Sequence, residues 1–336
     1  MKIVTQAFSR AGLMGNPGDG YCGKALALSV RNFSAQATIE PSARLCIAPQ
    51  RQDLLEFDNV QQLVRGVREH GYYGGVRLLK ATIKLFAEHC IARGIELRPD
   101  CFTISYCTTI PVQVGLAGSS AIITAAMRAL MRFYNVEIER ELLPSLILSV
   151  EREELGIGAG LMDRVIQVYE GLVFMDLGRE LVEGRGLGDY VPLDPAALPP
   201  LYLAYNEGLA KGSEFTHNPL RARFERGEPE MLAKVAQLAE LAVRARELLE
   251  HGRGDELGSL MDENFDLRAA LCNIGPGDMQ LINIGRELGA HPKFAGSGGA
   301  VIGAFDGDPQ RLERLRRAYA KIDATLIVPQ IAAEED

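Results

Sequence analysis

The sequence predicts a two-lobed α+β protein, and three observations lead to this expectation. The chain has 336 residues, which is more than one hydrophobic core usually occupies. Short alternating apolar runs fill residues 1–40, whereas longer stretches with helical periodicity follow them. Residues 180–200 are rich in glycine, proline and charge, which is typical of a boundary between lobes. We therefore expect a β-rich first lobe over 1–185 and a second lobe with an antiparallel sheet over 186–336.

The elements of the first lobe follow from local patterns. In chain order we expect two strands on either side of a Gly/Pro/Asn-rich turn at 15–20, a helix over 76–93, a strand over 101–110 and a helix over 119–134. In the last of these segments Thr124, Arg128 and Arg132 interrupt an apolar run. Because they recur every four residues, this helix is expected to carry one narrow polar stripe and to be buried elsewhere.

The second lobe shows a regular alternation of apolar runs and helical periods. The pattern predicts a strand over 201–205, helices over 230–250, 255–272 and 277–289, strands over 293–296 and 300–305, a helix over 309–321 and a strand over 324–330. A glycine-rich turn joins the second and third of these strands. Such an order favours helices packed on one antiparallel sheet.

Composition excludes several classes of protein. The formal net charge of −8 argues against a nucleic-acid partner, which would require a basic stripe. Neither a bilayer-spanning apolar run nor the apolar core of a signal peptide occurs, so we expect no membrane partner and a cytoplasmic location. The six cysteines form no C-x-x-C pair and are expected to be reduced thiols. The five histidines show no pair at ligand spacing, so no zinc site is expected.

The segment 111–121 predicts a phosphate-binding loop. A proline ends a strand, and Gly115 and Gly118 allow tight turns that expose successive N–H groups. Ser119 and Ser120 then open an apolar helix, whose first amides lack intrahelical partners and carry partial positive charge. A serine hydroxyl there can also ligate Mg²⁺. The alternative at this stage is a plain serine N-cap after a glycine turn.

The loop is neither a Walker A nor a Rossmann motif, because both spacings are absent. It resembles the second motif of the GHMP kinases (galactokinase, homoserine kinase, mevalonate kinase, phosphomevalonate kinase), Pro-x-x-x-Gly-Leu-x-Ser-Ser-Ala. One extra small residue separates Leu116 from the serine pair, and we expect Ser120 to be the serine that meets the metal.

Two further segments resemble GHMP motifs in the expected order. Residues 9–19 resemble the first motif, which implies that Arg10 is an active-site cation and Asp19 a substrate-binding carboxylate. Residues 293–300 resemble the third motif, a glycine-rich turn near the nucleotide phosphates. Taken singly, these segments could be an ordinary β-turn and a tight connection between strands. Three ordered matches favour the resemblance.

The segment 151–164 resembles the galactokinase run in which a glutamate precedes Gly-Ile-Met-Asp. The resemblance implies that Glu151 holds Mg²⁺ opposite Ser120, and that Asp163 is a general base or an orienting carboxylate beside Arg10. The alternative for the glutamates is a solvated helix face, which is the better interpretation for Glu153 and Glu154.

Within the superfamily, segments spread over nearly the whole chain resemble the glucuronokinases. They are 12–17, 71–79, 114–122, 154–169, 264–268 and 293–301. This resemblance implies a two-lobed fold with a ferredoxin-like second lobe, an inter-lobe cleft, and transfer of the ATP γ-phosphoryl group to the anomeric hydroxyl of glucuronate. Tyr72 and Tyr73 are expected either on a sugar or adenine ring or in the core.

The expected site has three parts. Asp163 and Arg10 are the catalytic pair, and Ser120 and Glu151 hold Mg²⁺. ATP is expected to contact Gly115, Leu116, Ala117, Gly118, Ser119, Ser120, Ala121, Gly296, Ser297 and Gly298. The sugar is expected to contact Asn16, Asp19, Asn264, Arg268 and Lys293, and Arg77, Arg164, Arg268 and Lys293 are candidates for binding a substrate carboxylate.

Two alternatives remain open at this stage. Another GHMP sugar kinase could act on a heptose phosphate, fucose or galactose. A sensor that binds ATP and sugar without turnover would be free to lose one catalytic residue, whereas Arg10, Ser120, Glu151 and Asp163 are all present.

Overall fold

The computed structural model describes residues 1–50, 53, 59–60, 74–210 and 214–331. Tyr72 and Tyr73, with the first part of the 71–79 segment, lie outside the described residues. Among the described residues no helix is both long and apolar enough to cross a membrane.

The first lobe is built on a six-stranded sheet. Its strands are β1 (Ile3–Met14), β2 (Lys24–Pro41), β3 (Cys46–Ile47), β4 (Phe102–Thr108), β5 (Leu172–Asp176) and β6 (Asp189–Leu193). The order is β3-β4-β2-β5-β6, and β1 also pairs with β2. The long strand β2 is antiparallel to β1, to β4 through 35–41 and to β5 through 24–28. The two predicted strands around the 15–20 turn are thus confirmed as β1 and β2.

Helices of the first lobe position the predicted glycine loop and carboxylates. They are α1 (Gly75–Ala92), α2 (Gly118–Tyr134), α3 (Leu143–Ser149), α4 (Met162–Tyr169) and α5 (Arg179–Arg185), with a π-helical turn at Val150–Glu154. Most apolar side chains of α2 are buried as predicted, and exposure along its polar stripe increases from Thr124 through Arg128 to Arg132, which is exposed. Thr124 is buried, and Arg128 donates hydrogen bonds to the carbonyl oxygens of Gln6 (2.7 Å) and Gln167 (2.8 Å).

The second lobe has the predicted ferredoxin-like sheet. Its strands are β7 (Leu201–Tyr205), β8 (His291–Phe294), β9 (Ala300–Ala304) and β10 (Thr325–Ile327). All pairs are antiparallel, in the order β10-β7-β9-β8. Its helices are α6 (Glu214–Glu225), α7 (Pro229–Glu250), α8 (Leu257–Leu271), α9 (Pro276–Glu287) and α10 (Pro309–Ala320). The α+β fold with two sheets is therefore as expected.

The first sheet extends beyond the expected boundary between the lobes. The expected division between 185 and 186 precedes β6, yet β6 pairs with β5 in the first sheet. The change of sheet therefore falls between Leu193 and Leu201. Both lobes contribute to one cluster of buried apolar side chains, in which Leu26 of β2 and Leu241 of α7 are members. The lobes share a core, and the predicted motifs lie where they meet.

Candidate active site

The predicted phosphate loop ends in a helix whose N-terminus has no side-chain cap. Gly115 has a φ of +73°, and Ala117, the N-cap residue of α2, has a φ of +61°. No side chain accepts a hydrogen bond at this cap, so neither serine is the N-cap that the alternative interpretation required. The amides of the first turn of α2 are thus left for a ligand, and a helix N-terminus is suited to bind phosphate.

The two glycine loops touch each other through their backbones. A Cβ atom at Gly296 would lie 2.0 Å from the carbonyl oxygen of Gly115, and one at Gly115 would lie 2.8 Å from that of Gly298. Only residues without a side chain allow this approach. Asp278, in the first turn of α9, holds the second loop by accepting a hydrogen bond from Gly299 N (2.8 Å). Motifs two and three therefore form one continuous surface.

Arg10 joins this surface to Asp163. The Arg10 side chain is only 5% exposed. Its Nε donates to Asp163 Oδ1 (2.6 Å), and its Nη1 donates to the carbonyl oxygens of Gly115 (2.6 Å) and Ala295 (3.2 Å). Asp163 is partly exposed, at the start of α4. The structure thus brings together the two residues predicted as the catalytic pair and places them beside both glycine loops.

The serine that faces Glu151 is Ser119, not Ser120. Ser119 Oγ donates to Glu151 Oε1 (2.8 Å), whereas Ser120 is fully buried and its Oγ donates back to the Ala117 carbonyl (3.2 Å). The reason is the helical turn: consecutive residues differ by about 100° around the axis, so only one serine can face the carboxylate. This corrects the expected pairing of Ser120 with Glu151.

Glu151 also has a buried cationic partner. Arg164 Nη2 donates to Glu151 Oε2, and Arg164 Nη1 donates to the Gly160 carbonyl (2.9 Å) and lies 3.3 Å from Asp163 Oδ2. Glu151 is 1% exposed. One guanidinium therefore contacts both carboxylates that the sequence singled out. Sequence reasoning treated Arg164 only as a candidate for a substrate carboxylate, because its contact with Glu151 depends on tertiary packing and has no signal in the sequence.

Asp19 lies near Asp163 in a partly buried environment. Burial, followed by repulsion from Asp163, raises the pKa of Asp19 to about 7, and Arg10 and Arg164 oppose the shift. A Cβ atom at Gly160 would lie 2.8 Å from Asp19 Oδ2, so this glycine leaves room for the carboxylate. A perturbed carboxylate beside the catalytic pair is a candidate for substrate contact.

Three residues predicted to bind substrate instead form a buried network between the lobes. Lys293 Nζ donates to Asn16 Oδ1 (2.5 Å) and to the carbonyl oxygens of Gly12 (2.8 Å) and Phe294 (3.0 Å). Asn264 accepts from Gly15 N (2.7 Å) and donates to the Asn16 carbonyl (3.0 Å). All three side chains are at most 2% exposed. Their polar atoms hold the first motif against the second lobe, and the substrate contact expected for Asn16, Asn264 and Lys293 stays a prediction.

Burial and the nearby cations Arg268 and Arg10 lower the pKa of Lys293 well below its ordinary value. Attraction to the Asp19 carboxylate opposes this lowering of the Lys293 pKa.

Arg268 likewise binds the protein rather than projecting into a cleft. Its guanidinium donates to the carbonyl oxygens of Gly296 (2.6 Å) and Ser297 (2.7 Å) and lies 4.5 Å from the centre of the Phe294 ring. Arg268 is 4% exposed, so it supports the third-motif loop from the protein interior. Of the four cations considered for a substrate carboxylate, Arg164, Arg268 and Lys293 are thus bound to protein oxygens, and Arg77 lies half-buried in the first turn of α1.

One more polar residue at the site was not predicted. Gln167 of α4 is buried, and its Nε2 donates to the Ala117 carbonyl (2.9 Å) at the start of α2. It lies four residues after Asp163, on the same face of α4. The helix that carries Asp163 is therefore tied directly to the phosphate loop.

Comparison with known proteins identifies the family of this chain. Residues 77–171 match the family model described as the GHMP kinases N terminal domain. Over 98% of its length the chain is 40% identical to probable glucuronokinase 2 and 39% identical to glucuronokinase 1, both from Arabidopsis thaliana, and it spans 93% and 92% of those proteins. This chain belongs to the GHMP kinase superfamily. As a GHMP kinase it uses ATP as the phosphoryl donor.

Solved GHMP kinase structures share the fold of this chain. Galactokinase of Lactococcus lactis, complexed with galactose, gives a TM-score of 0.76 at 14% identity and covers 99% of this chain and 94% of its own. Phosphomevalonate kinase of Streptococcus pneumoniae, in complex with phosphomevalonate and AMPPNP, gives 0.76 at 19% identity, covering 98% and 100%. At these identities the likeness concerns the fold.

Proposed function

We propose that this GHMP kinase transfers the γ-phosphoryl group of ATP to the anomeric hydroxyl of D-glucuronate, giving glucuronate 1-phosphate. The observation that carries the chemistry is the Arg10–Asp163 pair at the junction of two glycine loops. The substrate rests on the identity of about 40% to the two glucuronokinases over nearly the full chain.

Asp163 would act on the acceptor hydroxyl. As that oxygen bonds to the γ-phosphorus, the bond from phosphorus to the oxygen of the leaving ADP breaks, and the hydroxyl proton passes to the Asp163 carboxylate. Arg10 fixes that carboxylate through Oδ1 and keeps a positive charge beside the transferred group. In phosphoryl transfer the protein contributes mainly such positioning and charge stabilisation.

The phosphates of ATP would lie against the surface formed by the two glycine loops. The uncapped N-terminus of α2 supplies backbone donors, and residues 115–121 and 296–298 line this surface. Side chains of Ser120 and Arg268 support these segments from inside the protein. In this proposal they shape the nucleotide site without contacting the nucleotide.

Ser119 and Glu151 form a pair of oxygen ligands that suits Mg²⁺. Ser119 Oγ and the Glu151 carboxylate are hard oxygen ligands that lie within hydrogen-bond distance of each other. In the described part of the chain no cluster of three or more His, Cys, Asp or Glu residues could hold a metal. Two protein ligands fit Mg²⁺, which keeps several waters and binds ATP phosphates. When bound there, Mg²⁺ would offset negative charge on those phosphates.

Asp19 would accept hydrogen bonds from sugar hydroxyls. It is the one residue of the five expected substrate ligands that is both partly exposed and close to Asp163. Asn16, Asn264 and Lys293 would act indirectly by holding the Gly15–Asp19 turn in place.

A second GHMP activity has a specific observation in its favour. The chain is 22% identical over 237 residues to the D-glycero-α-D-manno-heptose 7-phosphate kinase of Campylobacter jejuni, which covers 69% of this chain. The lower identity and shorter coverage make a heptose phosphate the second choice. A sensor without turnover is disfavoured because Arg10, Asp163, Glu151 and Ser119 form a complete site.

The deciding experiment measures ADP release with Mg²⁺–ATP and each of glucuronate, galacturonate, galactose, fucose and a heptose phosphate, with phosphorus NMR of the products. Asp163→Asn serves as the negative control, and we expect it to lose about 10²–10⁴-fold in turnover. Turnover on glucuronate with a new anomeric phosphate is the expected result. Turnover on another sugar alone would disprove the glucuronate assignment, and binding of ATP without turnover on any sugar would support the sensor.

A further inference from the structure

Arg164 contacts both carboxylates on which the proposed chemistry depends. Its Nη2 donates to Glu151 Oε2, and its Nη1 lies 3.3 Å from Asp163 Oδ2. A further hydrogen bond, from Nη1 to the Gly160 carbonyl (2.9 Å), fixes the plane of the guanidinium. The Arg164 side chain is 3% exposed, so solvent screens these interactions little.

All four oxygens of the two carboxylates thereby lie near a hydrogen-bond donor of the protein. Glu151 Oε1 accepts from Ser119, and Glu151 Oε2 accepts from Arg164. Asp163 Oδ1 accepts from Arg10, and Asp163 Oδ2 faces Arg164. A divalent cation that binds Glu151 must therefore compete with a guanidinium for the same carboxylate.

We propose that Arg164 is a positioning residue that weakens Mg²⁺ binding at Glu151 and, with Arg10, fixes the Asp163 carboxylate by both oxygens. Arg164 links the metal site to the acceptor site, because one guanidinium contacts both Glu151 and Asp163. A change in its contact with Glu151 therefore affects Asp163, although the two carboxylates are 12 residues apart in the chain. The inference rests on the proposed use of Mg²⁺–ATP and is independent of the identity of the sugar.

This proposal predicts an unusual combination of effects for Arg164→Met. Turnover falls because Asp163 loses one of its two donors. Mg²⁺ binding becomes tighter, because a buried carboxylate without its cation favours another cation. A role in folding alone would lower turnover and would leave Mg²⁺ binding unchanged or weaker.

Calorimetry tests the effect without catalysis. The dissociation constant of AMPPNP is measured with EDTA and with saturating Mg²⁺. The constant in EDTA divided by the constant in Mg²⁺ is the ratio that reports the coupling between nucleotide and metal. We expect this ratio to rise about tenfold in Arg164→Met, the order expected for removal of one partly screened unit charge at ion-pair distance. Arg164→Lys, which keeps a charge but loses the planar double contact, should fall between the wild type and Arg164→Met.

Two control variants separate the proposal from general damage. Arg128→Met removes another partly buried arginine that is bonded to the backbone of α4 and whose carboxylate partner is Glu170, and it should leave the ratio unchanged. In a Glu151→Gln background the Arg164→Met change should no longer alter the ratio, because the proposed competition needs the carboxylate.

The results can fail in distinguishable ways. An unchanged or smaller ratio in both Arg164 variants, with coupling present in the wild type, would overturn the role of Arg164. A wild-type ratio of one would overturn the proposed metal site together with this inference. Failure to phosphorylate glucuronate would overturn the proposed substrate and would leave the calorimetric result intact.

Discussion

Arg10 contacts residues from three parts of the chain that are far apart in sequence. It binds Asp163 through Nε and the carbonyl oxygens of Gly115 and Ala295 through Nη1. The motif resemblance predicted the pairing of Arg10 with Asp163. It could not predict the two carbonyl contacts, because backbone oxygens carry no sequence signal. A similar limit explains the serine pair, where the motif places two hydroxyls side by side and only the helix start decides which one faces Glu151.

Replacing each serine by alanine tests that assignment. Ser119→Ala should raise the Mg²⁺ concentration needed for half-maximal activity by about tenfold or more, because a proposed oxygen ligand is lost. Ser120→Ala should change it by less than about twofold, since its hydroxyl bonds to the Ala117 carbonyl. The two variants are matched controls for each other, and activity is measured across a Mg²⁺ titration. The reverse ranking would restore Ser120 as the ligand.

The raised pKa of Asp19 predicts that removing its charge stabilises the protein in a pH-dependent way. The pKa of Asp19 is raised from 3.8 to about 7 in the folded protein. Stability is therefore lost as the pH rises from about 4 to about 7, because the unfolded chain ionises first, and the loss is complete above that range. Asp19→Asn should therefore raise the melting temperature by about 2 °C or more at about pH 8.5, and the gain should vanish below about pH 4, where aspartate is protonated in both states.

The exposed carboxylate variant Asp255→Asn provides the control for Asp19. It should give no pH-dependent difference of this kind. Melting curves of both variants and the wild type over the pH range decide the point. A gain for Asp19→Asn that is equal at all pH values would contradict a raised pKa as its cause.

The elements around the site were largely predictable. The helices α1, α2, α7, α8, α9 and α10 and the strands β1, β2, β4 and β7–β10 lie within a few residues of the expected spans. Strand β6 and nearly all of the short helix α5 fall inside 180–200, a segment that composition marked as a boundary. Few apolar side chains are buried there, so the hydrophobic pattern that identifies an element was absent.

The close contact of the two glycine loops gives a prediction at the scale of elements. A Cβ atom at Gly296 would meet the Gly115 carbonyl at 2.0 Å and Arg10 Nη1 at 2.9 Å, so Gly296→Ala must separate the loops. We expect KM for ATP to rise about tenfold and the free energy of unfolding to fall by about 1–3 kcal/mol. Kinetics and urea unfolding measure the two effects.

Gly184→Ala is the matched control for Gly296→Ala. Gly184 lies in α5 with no atom within 4 Å of its would-be Cβ. Alanine should leave KM unchanged and stabilise the helix by about 0.5–1 kcal/mol. Normal ATP affinity in Gly296→Ala would show that the loops can separate without affecting the nucleotide site.

At the scale of the whole molecule, the buried polar network between the lobes sets the position of the first motif. Lys293, Asn264 and Asn16 join the Gly12–Asn16 backbone to α8 and β8. Sequence reasoning assigned these residues to the substrate, because polar residues inside motif-like segments commonly bind ligands. Only their burial shows that their hydrogen-bonding groups are already occupied by the protein.

Lys293→Met should therefore lower the stability of the protein more directly than it affects catalysis. The change removes the Lys293 donor from Asn16 Oδ1 and from the Gly12 carbonyl oxygen, whereas the Phe294 carbonyl oxygen still accepts from Asn16 Nδ2 (3.2 Å). We expect the free energy of unfolding to fall by about 2–4 kcal/mol. Lys80→Met, an exposed lysine of α1, should be neutral within about 0.5 kcal/mol. Urea unfolding measures both variants. A Lys293→Met protein with wild-type stability and a raised KM for the sugar would indicate that Lys293 contacts the substrate.

The sequence alone determined the fold class, the ferredoxin-like second lobe, the three glycine- or serine-rich motifs and the pairing of Arg10 with Asp163. Local periodicity predicted the α+β class with an antiparallel second sheet, whereas the ferredoxin-like lobe and the Arg10–Asp163 pairing were implied by the resemblance to the GHMP motifs. The tertiary structure decided which serine meets Glu151, that Arg164 bridges Glu151 and Asp163, and that Lys293 and both asparagines bind protein. The physical reason is that a polar side chain interacts with whatever lies nearest in space. That neighbour is fixed by the packing of the two lobes and not by position in the chain.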